Sequence, residues 1–226
     1  MSQARPPVRA VLFDLYDTLV WSDWPVMRAE LEERFGLTEA DLIRAFVQTR
    51  AARSVGTYGG AEGDLRAVLE AAGVEAGPEL VRELSEDRVA RFLSDGVHLW
   101  EDSLPTIRAL RERGVRTAVV SNCDHSTRPV VERLGLVEAT DAMILSFEVG
   151  AAKPDPAIYE AALTAVGVAA AEAVFVDDQA RYCEGAIAVG MRALLILRDG
   201  AEPAEGVSAA GELEVIRSLE AVLELV

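Results

Sequence analysis

The stretch Val8-Arg9-Ala10-Val11-Leu12-Phe13-Asp14-Leu15-Tyr16-Asp17-Thr18 decides the fold. Up to Phe13 it lacks the polar alternation of a half-exposed strand, so it reads as a strand buried on both faces. It then stops at an acid, Asp14, and enters a polar turn. Apolar runs of the same kind recur at residues 115–120, 142–145, 174–176 and 193–197. Between them lie helical patterns that end at glycines: residues 104–113 before Gly114, 128–134 before Gly135, and 157–166 before Gly167. Strand and helix alternate, which predicts an α/β protein with a doubly wound parallel sheet.

Residues 22–96 break that rhythm. They hold no good strand candidate, and their apolar residues recur at helical spacing: Met27, Leu31 and Phe35, then Leu42, Phe46 and Val47, then Leu65, Val68 and Leu69, then Leu80, Leu84 and Val89. Four helices inserted between the first and second core strands predict a separate lobe. The domains are therefore residues 1–21 with 97–226 as the core, and 22–96 as the insertion. The glycine-rich stretch 56–63 reads as a bend inside that lobe, because no strand precedes it as a phosphate loop requires. Residues 201–211 read as a surface loop and residues 212–225 as a final helix.

With 226 residues the chain can bury a full core and still carry a smaller second domain. Its 22 Lys and Arg stand against 38 Asp and Glu, a formal charge of −16. Such a surface repels nucleic acid and anionic membrane, so an anionic small-molecule substrate must find a locally positive pocket. No apolar run has the length of a membrane span or a signal peptide. Cys123 and Cys183 have neither metal-site nor disulfide spacing, and read as structural thiols of a cytoplasmic protein. The Trp and Phe residues of the insertion suit a modest homodimer interface.

In a doubly wound sheet, ligands gather at the carboxyl ends of the strands. Four strand ends here carry polar or reactive residues: Asp14 through Thr18, then Ser121 and Asn122, then Lys153 and Pro154, then Asp177 and Asp178. A single acid after a strand is often only a helix cap. Four such groups in this order are hard to reconcile with caps alone.

That order resembles the four motifs of the haloacid dehalogenase superfamily, and the helical insertion after the first motif resembles its cap. The resemblance spans essentially the whole chain. It implies a Rossmann-like core with an inserted all-helical cap domain, and a hydrolase whose nucleophile is Asp14. In that chemistry a carboxylate attacks an electrophilic centre and water hydrolyses the resulting ester. Lys153 then holds the anions together, and Thr18, Ser121, Asn122 and Tyr16 belong to the substrate site.

Two branches of the superfamily pull this sequence apart. The phosphatases place a second aspartate two residues after the nucleophile, where this chain has Tyr16. An aromatic there is similar to the metal-free 2-haloacid dehalogenases. The neighbouring Asp17 is one residue out of step, so its side chain is expected to point elsewhere. The pair Asp177 and Asp178 is similar to the Mg²⁺-dependent phosphatases. It implies a Mg²⁺ site made by Asp14, the Tyr16 carbonyl and Asp177, with Asp178 in a lesser role. The acid or amide often found later in that motif is replaced by Tyr182. Three readings follow: a Mg²⁺-dependent phosphatase of a small phosphorylated metabolite, a metal-free dehalogenase, and a binding or regulatory protein with a degenerate site.

Other residues have plainer readings. His98 and His125 are the only histidines; His125, just after the second motif, could touch substrate but reads more plainly as a surface-loop histidine. Tyr159 suits helix packing as well as a substrate pocket. Arg44, Arg50 and Arg53 could bind a carboxylate or a halide but read more plainly as a solvated helix face, and Trp21 and Trp24 as flanking the entry to the cap.

Overall fold

A strand without polar alternation must be covered on both faces, and Ala10 to Phe13 are all fully buried. The computed structural model describes residues 6–198 and 213–226. β1 (Ala10–Phe13) and β2 (Val20–Ser22) lead into four helices: α1 (Trp24–Phe35), α2 (Glu39–Ser54), α3 (Ala61–Ala71) and α4 (Pro78–Arg91). A π-helical turn over Phe92–Gly96 carries the chain into β3 (Val97–Leu99). Helix and strand then alternate through α5 (Ser103–Glu112), β4 (Arg116–Ser121), α6 (Thr127–Arg133), α7 (Leu136–Ala139), β5 (Ala142–Leu145), α8 (Ser146–Val149) and α9 (Pro156–Val166). β6 (Ala173–Asp177), α10 (Ala180–Ala188), β7 (Arg192–Ile196) and β8 (Glu214–Ile216) complete the regular elements, followed by a 3₁₀ segment at Leu219–Leu225.

Among the described residues the main sheet has six strands in the order β5-β4-β1-β6-β7-β8, every pair parallel. The chain leaves β1 toward β4 and β5 on one side, then crosses to β6 on the other. The order therefore reverses at β1, and the crevice of a doubly wound sheet opens at its carboxyl end. Successive β1 side chains serve opposite layers. Val11 and Phe13 pack toward α5, α6 and the C-terminal 3₁₀ segment, while Ala10 and Leu12 pack toward α9 and α10.

The four inserted helices bury a cluster of their own, built on Leu31, Leu42, Leu65, Leu69, Val81 and Leu84. They join the core through the antiparallel pair β2 and β3, with Val20 opposite Leu99 and Ser22 opposite Val97. Neither strand is visible in the sequence, since three residues cannot display a period. The glycine bend reaches only to Gly60, and Gly63 lies inside α3. Gly56, at φ 72°, presses the bend against the core: a Cβ there would stand 2.6 Å from the Phe147 carbonyl oxygen.

The C-terminus differs from its sequence reading. Residues 201–211 lie outside the described residues. The helix expected over 212–225 is instead β8, which extends the sheet beside β7, followed by the 3₁₀ segment capped by the Ser218 hydroxyl. Val215 and Ile216 are β-branched and gain an edge position, a tertiary opportunity that outweighs local helical spacing.

One close approach ties the core to the crevice. Tyr159, fully buried on α9, donates a hydrogen bond of 2.7 Å to the Tyr182 carbonyl and meets Phe175 edge-on. Gly185 on α10 leaves the room for this: a Cβ there would stand 2.7 Å from the Tyr159 hydroxyl and 2.9 Å from Pro154. Gly185→Ala is expected to lower the unfolding free energy by about 1–3 kcal/mol, the cost of overpacking a rigid site. Urea denaturation measures it, and an unchanged midpoint would refute the contact.

Candidate active site

β1 ends inside the sheet, so the next side chain emerges at the crevice, held there as the Asp14 amide donates to the Val176 carbonyl at 2.8 Å. Asp177 ends β6, next to β1, and Asp178 follows it. Lys153 arrives from the loop between α8 and α9. Its ammonium donates to Asp14 Oδ1 at 2.5 Å and to Asp177 Oδ2 at 2.7 Å, and its side chain is fully buried. Carboxylate oxygens of Asp14, Asp177 and Asp178 lie within 4.8 Å of one another.

Three carboxylates around one lysine leave a surplus of negative charge in a buried place. Burial, and then the nearby Asp177, push the Asp14 carboxyl up to about 7, even against the pull of Lys153. Burial and repulsion from Asp14, Asp177 and Asp17 push Asp178 up to about 8. Asp17 lies outside the cluster of three carboxylates, though its charge still acts on Asp178. Asp17 stands at φ 61°, a left-handed conformation that aspartate tolerates better than most residues.

Hydrogen bonds separate the two adjacent acids. Asp177 is committed, accepting from Lys153 through Oδ2 and from the Gln179 amide through Oδ1 at 2.8 Å. Asp178 keeps a buried Oδ1 with no partner. Both acids remain in the cluster with Asp14, and they differ in that Asp178 alone has an oxygen free of partners. The Thr18 Oγ1 and Ser121 Oγ atoms are also buried and unpartnered. Buried polar atoms are rarely left so; Ser121 ends β4, Asp178 follows β6 and Thr18 lies in the turn after β1, where a ligand's oxygens or a cation would satisfy them.

Asn122 takes a different place. Its Nδ2 donates to the Lys153 carbonyl at 2.8 Å, and its Oδ1 accepts from the Lys153 amide at 2.7 Å. The carboxamide thus clamps the backbone that delivers the ammonium. Tyr16 turns toward the cap and shares a 3.2 Å hydrogen bond with Thr127. Burial drives its phenol well above the ordinary range, so it is a poor proton donor. Both cysteines are buried; burial, with the Asp124 charge, pushes Cys123 up to about 12, and burial raises Cys183 as well.

A cavity of about 300 Å³ lies between cap and core beside Tyr16, lined among others by Trp24, Phe46, Arg53, Arg88 and Asp124. Arg53 is no solvated residue: it is buried, its Nε donates to Thr49 at 3.0 Å, and it pairs with Asp124 of the core. Burial opposes charge on Asp124, but Arg88, Arg53 and the Ser126 hydrogen bonds outweigh it and hold the carboxyl below its ordinary range. His125 is likewise no surface residue. Its Nδ1 lies 2.7 Å from Asp64 of α3, and its ring packs on Phe147. Trp24 meets Phe46 edge-on, whereas Trp21 stacks on His98 beside β2 and β3. Arg88 and Asp124 went unnoticed in the sequence. Asp124 could have been suspected two residues beyond Asn122, but nothing distinguishes Arg88 from its charged neighbours on α4.

The model of the haloacid dehalogenase-like hydrolases matches residues 8–190. The chain belongs to this family. This hydrolase is 32% identical over 208 residues to a phosphatase of Mycobacterium tuberculosis, covering 85% of this chain and 89% of that one. It is 30% identical over 226 residues to a phosphoserine phosphatase of Thermus thermophilus, with 84% and 89% covered. In fold it is similar to the 2-haloacid dehalogenase of Pseudomonas syringae, with a TM-score of 0.71 at 23% identity over 96% of this chain and 97% of that one. The HAD phosphatase of Thermococcus onnurineus gives 0.68 at 22% identity, with 96% and 97% covered. Both branches named in the sequence analysis thus share its architecture.

If Asn122 fixes Lys153 in the hydrolase, Asn122→Ala should reduce stability by roughly 1–3 kcal/mol, the scale of two hydrogen bonds. Turnover should fall with it as the ammonium loses its place between Asp14 and Asp177. Paired urea denaturation and kinetics check both, and an effect on neither removes the clamp from the account.

Proposed function

We propose that the chain is a Mg²⁺-dependent phosphatase of a small phosphorylated metabolite, with Asp14 as nucleophile. The observation that carries this reading is the charge balance of the crevice. Asp14, Asp177 and Asp178 surround a single ammonium, Lys153, and so leave two negative charges in a buried site. A divalent cation fits that deficit, and hard carboxylate oxygens are the donors Mg²⁺ prefers. Asp14, Asp178 with its unpartnered oxygen, and the Tyr16 carbonyl would hold it, while Asp177 acts mainly through Lys153. When bound, Mg²⁺ offsets the charge of the phosphoryl oxygens and keeps Asp14 ionised. The phosphatases among the relatives at about 30% identity support the same choice.

The chain's own residues then divide the work. The Asp14 carboxylate attacks phosphorus, the ester oxygen departs, and water hydrolyses the aspartyl phosphate, regenerating the carboxylate. Lys153 fixes the Asp14 rotamer and faces the incoming anion. The hydroxyls of Ser121 and Thr18 donate to phosphoryl oxygens. The cap, residues 22–96, closes the site over the core formed by 1–21 and 97–226, and excludes water from the attacking carboxylate.

Tyr16 favours a second reading. It puts a weakly acidic phenol where a general acid is expected, and Lys153 already bridges two of the acids, as a metal-free dehalogenase releasing halide would allow. A substrate screen with and without Mg²⁺ separates the two. Aryl phosphate turnover that needs Mg²⁺ supports the first, whereas chloride release from 2-chloropropionate without metal replaces it. Asp14→Asn should lower turnover at least about a thousandfold, and Asp178→Ala should abolish Mg²⁺ stimulation. Near-normal rates in Asp14→Asn would end the enzymatic reading.

Tyr16 also predicts a substrate preference. General acid catalysis contributes about a hundredfold to ten-thousandfold, so alkyl phosphates should be far poorer substrates than activated aryl or acyl phosphates. Tyr16→Asp should raise activity toward alkyl phosphates and narrow that gap. A gap of the same width in the variant would make Tyr16 a packing residue only.

A further inference from the structure

The cap–core cavity is positive inside a protein of formal charge −16. Its charged lining on the buried side is Arg53, Arg88 and Asp124. Arg53 and Asp124 form an ion pair with each other. Arg88 stands near Asp124 as well and helps to hold that carboxyl ionised. Its guanidinium is stacked 4.8 Å from the Phe46 ring centroid and 4.4 Å from that of Phe92, with one terminal nitrogen buried and unpartnered. Among the described residues no carboxylate forms an ion pair with Arg88, and its guanidinium makes no hydrogen bond. Burial pulls its pKa down, against the opposing pull of Asp124 and Asp64. The only other cation on the lining, Arg50, is exposed.

Holding a guanidinium out of water without a partner is costly. The two rings keep its plane fixed and its fork of donors pre-organised, an arrangement suited to a carboxylate. Tyr16 lines the same cavity and follows Asp14 by two residues. A substrate reacting at Asp14 would therefore extend its departing half into this space. Trp24, Met27 and Phe46 give the cavity an apolar wall.

We propose that Arg88 is the specificity-determining residue of a second anion subsite, which binds a carboxylate on the leaving half of the substrate. The substrate class is then a phosphomonoester whose alcohol half carries one carboxylate on a compact, partly apolar body. The inference rests on the reading of Asp14 as the reacting centre.

The test compares 4-carboxyphenyl phosphate with its neutral near-isostere 4-carbamoylphenyl phosphate, in the presence of Mg²⁺. The wild-type chain is expected to favour the carboxylate in kcat/KM by about tenfold to a hundredfold, the scale of a charge-assisted hydrogen bond. Arg88→Met should bring the ratio close to one. Arg88→Gln, which keeps a planar amide in the stack without the charge, carries the same comparison if Arg88→Met fails to fold. A wild-type ratio near one, or a ratio that survives these substitutions, overturns the proposal. Calorimetric titration with benzoate and benzamide needs no turnover. If neither ester is hydrolysed, yet benzoate binds the wild type and not the variant, the subsite stands and the phosphatase reading falls. Benzoate binding that is absent, or equal in both chains, overturns the subsite.

Discussion

A single ammonium buried between two carboxylates organises this structure. Lys153 reaches Asp14 at 2.5 Å and Asp177 at 2.7 Å from a loop that must pass close to the ends of both β1 and β6. Removing one partner of such an arrangement typically costs about 3–5 kcal/mol, because the remaining charges are left uncompensated. The elements that deliver Lys153 are therefore constrained together. Asn122 clamps its backbone, Pro154 rests against the space above Gly185, and Tyr159 braces α9 against α10. The reactive centre and the packing of one whole face of the sheet depend on each other.

Two imbalances of opposite sign then lie side by side. The crevice at the end of β1 has too few cations for its three acids. The cavity under the cap is lined by three arginines and one acid. In a strongly acidic protein the second is the more unusual, and the cap creates it by placing Arg53 and Arg88 on helices that face Asp124 of the core. A ligand with an anionic reacting group and a second anionic end would answer both, provided a metal accompanies the first. Tyr16 separates the two regions. Its phenol lines the cavity and bonds to Thr127, and it follows Asp14 of the crevice by two residues.

The contact between cap and core is polar where it borders the site. Arg53 pairs with Asp124, and His125 meets Asp64, both across the boundary. Gly56 lets the cap's bend touch the Phe147 carbonyl. Polar contacts of this kind hold orientation without the large apolar burial that would fuse two lobes, since each lobe already has its own apolar cluster.

The sequence by itself determined the order of the core strands along the chain, the helical insertion, and the three strand ends where Asp14, Ser121 and Asp177 stand; Lys153 comes instead from a loop beyond α8. These are legible because an unbroken apolar run, a helical repeat and a terminal glycine are local signals. They act within a few residues of where they are read. The tertiary structure alone decided the rest. β2, β3 and β8 are three residues each and exist only because a partner strand is present. Asp178 keeps a free oxygen while Asp177 does not, because Lys153 and the Gln179 amide reach only the latter. Arg53 reads as solvated surface in the sequence and Arg88 does not stand out there, yet both line the cavity when α2 and α4 fold over the core; His125 is drawn to Asp64 of α3. Charge and hydrogen bonding depend on what stands within a few ångströms, and for these residues the neighbours come from up to 71 positions away along the chain.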